Sequence, residues 1–157
     1  MRHAKPKVGD CFVIPLPDGR RAYGQYVLWD DDPVYGLGCL VQIFDLLVET
    51  ELPVEALRSA GLMFPPVYVG LFASIRSGRW RVIGQLPVQD FTPPKFRATV
   101  GSKPGIYHDW TIWSGRTSVY VGDLPTEYRS LELLLVWGDE LLEDRIATGI
   151  NPFGKIL

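Results

Sequence analysis

Histidine and cysteine are scarce in this 157-residue chain, with two of each, His3 and His108, Cys11 and Cys39. A disulfide framework and a four-thiolate zinc site are both excluded by that count. A mixed Cys2His2 site remains arithmetically open, but no pair has ligand spacing, so no metal and no cofactor are expected. Buried structural cysteines in a reduced compartment are the simpler reading. Long apolar runs are missing as well, so no membrane-spanning helix is expected. The opening MRHAKPKVGD has no apolar stretch of the kind a secretory signal carries. Cytoplasmic residence is the expectation. Neither charge sign dominates, and the formal net charge is −2. Generic nucleic-acid binding relies on accumulated positive charge and finds no support in that total.

Charge is nevertheless unevenly placed. Residues 1–50 carry five basic and seven acidic side chains, residues 51–105 seven and three, and residues 106–157 four and eight. A folded surface patterned in sign follows from this. The 46% hydrophobic content is too high for a disordered chain, and the length suits one domain, expected over residues 1–157.

Sixteen glycines and thirteen prolines punctuate runs rich in Val, Ile, Tyr, Phe and Trp. That is the spacing of short strands and turns. Cys11–Pro15 and Arg21–Trp29 predict a hairpin about the Pro17-Asp18-Gly19 turn. Gly38–Phe44 is apolar on both faces except at Gln42 and reads as a central strand. Leu52–Gly61 has Pro near its start, Glu in the first turn and Gly past its end, which predicts a short helix. Strands are predicted at Val67–Ile75, Arg79–Gln85, Lys95–Val100, Tyr107–Trp113 and Ser118–Val121. Leu131–Val136 reads equally as strand or helix. Glu140–Thr148 predicts a second helix, with Asp139, Glu140 and Glu143 near its positive end and Gly149 closing it. Together these give a mainly β (α+β) fold: a single antiparallel, twisted or barrel-like sheet with a short middle helix and a C-terminal helix.

Catalytic patterns are sparse. The sequence has no Walker loop, no dinucleotide fingerprint, no G-x-S-x-G and no H-E-x-x-H. Cys11 or Cys39 with His108 is a conceivable nucleophile–base pair, but Asp109 adjoins His108 on a predicted strand and points to the opposite face. Asp30, Asp31 and Asp32 could supply paired carboxylates, yet before Pro33 they read better as an acidic loop. No catalytic residue is assigned.

Binding patterns are richer. Arg76, Arg79 and Arg81 around Trp80 could hold single-stranded nucleic acid by phosphate contact and base stacking. Strand alternation favours a plainer reading, with Trp80 inward and the arginines in solvent. Tyr107, Trp110, Trp113 and Tyr120 form an aromatic cluster. Trp110 and Trp113 differ by three, so they face opposite ways, one toward the core and the other outward. The acidic loop Asp30-Asp31-Asp32 and the late helix with Asp139, Glu140, Glu143 and Asp144 can steer a basic partner. The candidate partner contacts are therefore Asp30, Asp31, Asp32, Trp110, Trp113, Asp139, Glu140 and Glu143.

The stretch Lys7–Val27 carries a Gly9-Asp10 pair, an apolar strand ending Ile14-Pro15-Leu16, the Asp18-Gly19 turn and a strand with Y-G-x-x-V at Tyr23–Val27. It resembles the opening of the immunity protein 26 family of bacterial polymorphic toxin systems. Gly38–Asp45, F-P-P-V-Y-V at Phe64–Val69 and G-R-W-R-V-I-G-Q-L-P at Gly78–Pro87 fit the same family in order. The resemblance extends to about Phe96 and offers no catalytic residue to carry over. It implies a small β-rich protein that neutralises a cognate toxin by stoichiometric binding, burying about 1,600 Å² in a tight complex. The last third, where the match fades, is the candidate for specificity. The competing expectation is a β-barrel that binds single-stranded nucleic acid through Arg79, Trp80 and Arg81.

Overall fold

The computed structural model describes residues 4–31, 36–88, 91–99, 109–115 and 117–154. They form two compact units, Met1–Phe91 with Val136–Ile150, and Thr92–Leu135 with Asn151–Leu157.

The first unit is built on β1 (Asp10–Pro15), β2 (Arg21–Asp30), β3 (Gly38–Ile43), β4 (Val67–Val69), β5 (Arg81–Gln85) and β10 (Val136–Trp137), with helices α1 (Leu71–Arg76) and α2 (Asp139–Thr148). The strand order is β10-β4-β3-β2-β1-β5, antiparallel except where β10 lies parallel to β4. The predicted hairpin is β1–β2, and β3 is central as its two apolar faces required. Both faces of β1 are covered. Cys11 and Val13 join Tyr23, Phe44, Leu57 and Leu86 on one side. On the other side Phe12 lies flat on Trp80, centroids 5.6 Å apart and planes at 5°.

Gly24 is the cross-strand partner of Phe12. A Cβ there would lie 2.5 Å from Phe12 Cζ and 3.1 Å from Ile43 Cδ1. The glycine of the Y-G-x-x-V stretch thus makes room for a ring sandwiched between β2 and Trp80. Each such fully buried aromatic contributes roughly 1.5–3 kcal/mol by area alone.

The second unit holds a four-stranded sheet, order β8-β7-β6-β9, from β6 (Phe96–Thr99), β7 (Trp110–Ser114), β8 (Thr117–Gly122) and β9 (Glu132–Leu133). β9 runs parallel to β6 and the other pairs are antiparallel. Trp110, Ile112 and Leu124 form its core, with Val121, Tyr128, Leu131 and Leu133 packed around them. The buried Arg97 donates from Nε to the Leu131 carbonyl at 2.8 Å and from Nη2 to the Phe153 carbonyl at 3.1 Å. Desolvation lowers its pKa.

The fold is mainly β, but the expected single or barrel-like sheet is corrected. There are two sheets, and neither closes among the described residues. Leu131–Val136, ambiguous in the sequence, divides into β9 in one sheet and the start of β10 in the other. The predicted middle helix is only a 3-10 turn at Val54–Leu57. Bonds of the i→i+3 type, such as Ala56 N–H to the Pro53 carbonyl, suffice to bury Leu57 there. The predicted strand Val67–Ile75 ends at Val69, where Gly70 turns the chain into α1. Leu71, Ser74 and Ile75 are its buried residues, at helical rather than alternating spacing. The C-terminal helix stands where expected, closed by Gly149 at φ 72°.

Candidate interaction surface

At the end of β2 the β2–β3 pairing shifts register between Tyr26 and Leu28, so Val27 is an extra residue on β2. Such a bulge re-aims the side chains beyond it. Asp30 is buried, and its carboxylate accepts a hydrogen bond from the Tyr68 hydroxyl at 2.9 Å. Trp29 is turned outward and is 49% exposed. Its ring stacks on Phe72 of α1, centroids 5.5 Å apart and planes at 11°. Phe72 in turn meets Tyr26 edge-on at 6.1 Å, and the Lys5 ammonium lies 4.8 Å from the Phe72 ring centre. The result is an aromatic ledge held by two elements, with the exposed Asp31 following directly. Asp32 lies outside the described residues.

The acidic start of α2 is organised by one arginine. Glu143, with only 4% of its side chain exposed, accepts from Arg79 Nε at 2.7 Å, from Arg79 Nη2 at 3.1 Å and from the Trp80 indole at 3.2 Å. Arg79 also lies 3.8 Å from Asp139 and 3.8 Å from Glu140. The Glu143 hydrogen bonds, ahead of the other charges, raise the Arg79 pKa. Asp139 Oδ2 accepts from Ser74 Oγ of α1 at 3.1 Å. Asp139 remains half-buried and Glu140 exposed. Phe72 and Ser74 leave α1 on different sides, so this short helix supports the ledge and the acidic start of α2 separately.

Several sequence expectations are corrected by this geometry. Asp30 and Glu143 are internal acceptors rather than surface carboxylates. Trp110 and Trp113 do face opposite ways, yet both are buried. Trp110 belongs to the core with Ile112, and Trp113 lies beside Phe96 at 6.0 Å. Alternation exposes a side chain only where one face of the strand is bare. In that cluster the outward aromatic is Tyr120, 66% exposed, while Tyr107 lies outside the described residues. Trp29 was not singled out in the sequence. Its signal is position: an aromatic at a strand end immediately before the acidic run Asp30-Asp31-Asp32-Pro33.

The basic cluster follows its plainer reading. Trp80 is buried on Phe12, Arg79 is engaged by Glu143, and Arg81 pairs with Glu51. A base has no exposed indole to stack on there. The thiols are equally unpromising as nucleophiles. Burial pushes Cys11 up to about 11, and burial also raises Cys39. His108 lies outside the described residues. Among the described residues no group of three or more His, Cys, Asp or Glu side chains could hold a metal, and no helix is long and apolar enough to cross a membrane.

A cleft of about 400 Å³ opens on the opposite side of β1, lined by Gln25, Gln42, Phe44, Leu57, Leu62 and Leu86. Its floor is closed on itself: Gln42 Nε2 donates to Gln25 Oε1 at 2.8 Å, and Gln25 Nε2 to the Leu86 carbonyl at 2.8 Å.

The first unit is thus an open mixed sheet that carries a braced, half-exposed aromatic with an exposed carboxylate beside it. The family model of Immunity protein 26 matches residues 7–102, and the chain belongs to that family. No curated protein and no solved structure matches the chain. The matched segment contains β1–β6, α1 and the three rings of the ledge, Tyr26, Trp29 and Phe72.

Proposed function

We propose that this chain is an immunity protein that binds and neutralises a cognate bacterial toxin by stoichiometric protein–protein contact in the cytoplasm, without catalysis. The observation that carries the reading is Trp29. A half-exposed indole, stacked on Phe72 and backed by Tyr26, meets a partner with little conformational entropy left to lose. Tryptophan anchors of this kind account for a large share of binding energy in compact interfaces. The neighbouring Asp31 and Asp32, and Asp139 with Glu140 on α2, supply negative charge. Such charge suits a toxin with a basic groove, such as a nuclease, and would act mainly on the association rate.

The test is calorimetric titration of the purified chain with the toxin encoded by the adjacent gene. A stoichiometry near one and loss of toxin activity in proportion to added protein are expected. Neutralisation of excess toxin by substoichiometric protein, or no heat of binding at micromolar concentrations, overturns the reading.

A further inference from the structure

The outer edge of β8 lies beyond the family match, at Thr117–Gly122. β8 ends the four-stranded sheet among the described residues. An edge strand offers unpaired backbone N–H and C=O groups, and soluble proteins ordinarily guard such edges with lysine, proline or a cover. The sequence of β8, T-S-V-Y-V-G, contains neither guard residue, and Thr117–Tyr120 are all exposed. Val119 and Tyr120 are 56% and 66% exposed, side by side at the centre of the strand.

The two faces of β8 differ in chemistry. Thr117, Val119 and Val121 share one face and, with Ile112 and Tyr128, line a hollow of about 300 Å³, which Lys95 and Ser114 also border. On the other face the Tyr120 hydroxyl donates to Asp109 Oδ1 at 2.6 Å. Asp109, directly before β7, sits in the left-handed region at φ 57°, and its exposed carboxylate gives this face its negative charge. The Asp109 hydrogen bond, then its charge, and further off the charge of Asp123, raise the Tyr120 pKa.

We infer that β8 is a docking strand that takes an extended segment of a protein partner in which apolar and basic residues alternate. Period-two alternation puts every second side chain of an added strand over the hollow and the others over the Tyr120–Asp109 face. Backbone pairing supplies affinity, and the two faces supply selectivity. A second copy of this chain fits less well, because β8 itself has no basic residue to set against the Asp109 carboxylate. The inference stands whether or not the partner is a toxin.

The probe is an acetylated, amidated peptide of alternating lysine and valine, about seven residues long, a typical strand length. It is added to the full chain while hydrogen exchange at the β8 amides is followed by NMR. Slower exchange at Ser118–Val121 is expected. The same peptide N-methylated on alternate residues, which cannot pair, should bind about tenfold or more weakly, as should a glutamate–valine peptide. Val119→Lys should weaken binding by a similar factor, with the NMR signals of the Trp110 and Trp113 indole N–H groups unchanged to show that the sheet is intact. Tyr120→Phe, which removes only the hydroxyl, should bind the lysine peptide within about threefold of wild type. Unaltered β8 exchange at millimolar peptide, equal binding of the N-methylated or glutamate peptide, or a peptide-free dimer with protected β8 amides each overturns the inference.

Discussion

Glu143 is the side chain on which α2 depends, and replacing it tests the packing argument most directly. It is nearly buried and accepts three hydrogen bonds, two from Arg79 and one from the Trp80 indole. Glu143→Ala orphans the buried indole N–H, a cost of about 1–3 kcal/mol, and leaves a small void under α2. Arg79 is 37% exposed and recovers water, so its lost partner adds little. The total is about 2–4 kcal/mol. Glu143→Gln keeps an acceptor for Trp80 and loses the charge, costing about 1 kcal/mol. Arg79→Ala costs more than Arg79's own exposure suggests, about 2–3 kcal/mol, because it strands a buried carboxylate. The sign of the coupling is the sharp test: in an Arg79→Ala background, Glu143→Gln should be neutral or stabilising. Urea unfolding reads each value from the shift in midpoint at constant slope. If Glu143→Gln costs the same in both backgrounds, the arginine and the carboxylate are not acting as a pair and the account of α2 fails.

Gly24→Ala should cost roughly 1–3 kcal/mol by forcing its Cβ against Phe12, which Trp80 holds in place; Gly61→Ala, with nothing within 4 Å, should stay within about 0.5 kcal/mol in the same urea assay. Trp29→Ala should weaken partner binding by about 30-fold or more in calorimetry while moving the urea midpoint little, since the indole is half exposed. Unchanged affinity would remove the ledge from the interface. Cys11 binds its proton more tightly folded than unfolded, its pKa being raised from 9.0 to about 11. Its contribution to stability is therefore complete below about pH 9 and lost as pH rises toward about 11. Urea midpoints across that range should fall less steeply in Cys11→Ala than in wild type; parallel slopes would contradict the buried-thiol reading.

Local signals in the sequence suffice where a single rule applies. The Asp18-Gly19 turn set the β1–β2 hairpin, two apolar faces placed β3 centrally, and Gly149 closed α2. They fall short where tertiary partners decide. Val67–Ile75 is apolar apart from Gly70 and Ser74, and only the surroundings of Leu71, Ser74 and Ile75 make its second half helical. Leu131–Val136 was ambiguous because it serves two sheets. For the candidate surface, the acidic segments were visible, but which carboxylates reach solvent was not. A bulge near Val27 turns Asp30 inward and Trp29 outward, and no alternation rule places that bulge. Trp110 and Trp113 could not be sorted because nothing in the sequence tells a strand with one bare face from one covered on both.

The parallel pairing of β10 with β4 joins Val136 to Tyr68 and Trp137 to Val69, positions far apart along the chain. On a ribosome, β1–β5 emerge well before the residues that complete their sheet. Until Trp137 and α2 arrive, the edge of β4 is open and the Trp80 indole lacks Glu143, so the nascent protein carries an unfinished flank through most of its synthesis. Completion of the sheet thus becomes a late, long-range closure, slow by topology, and any truncation after β9 freezes the molecule with that flank bare.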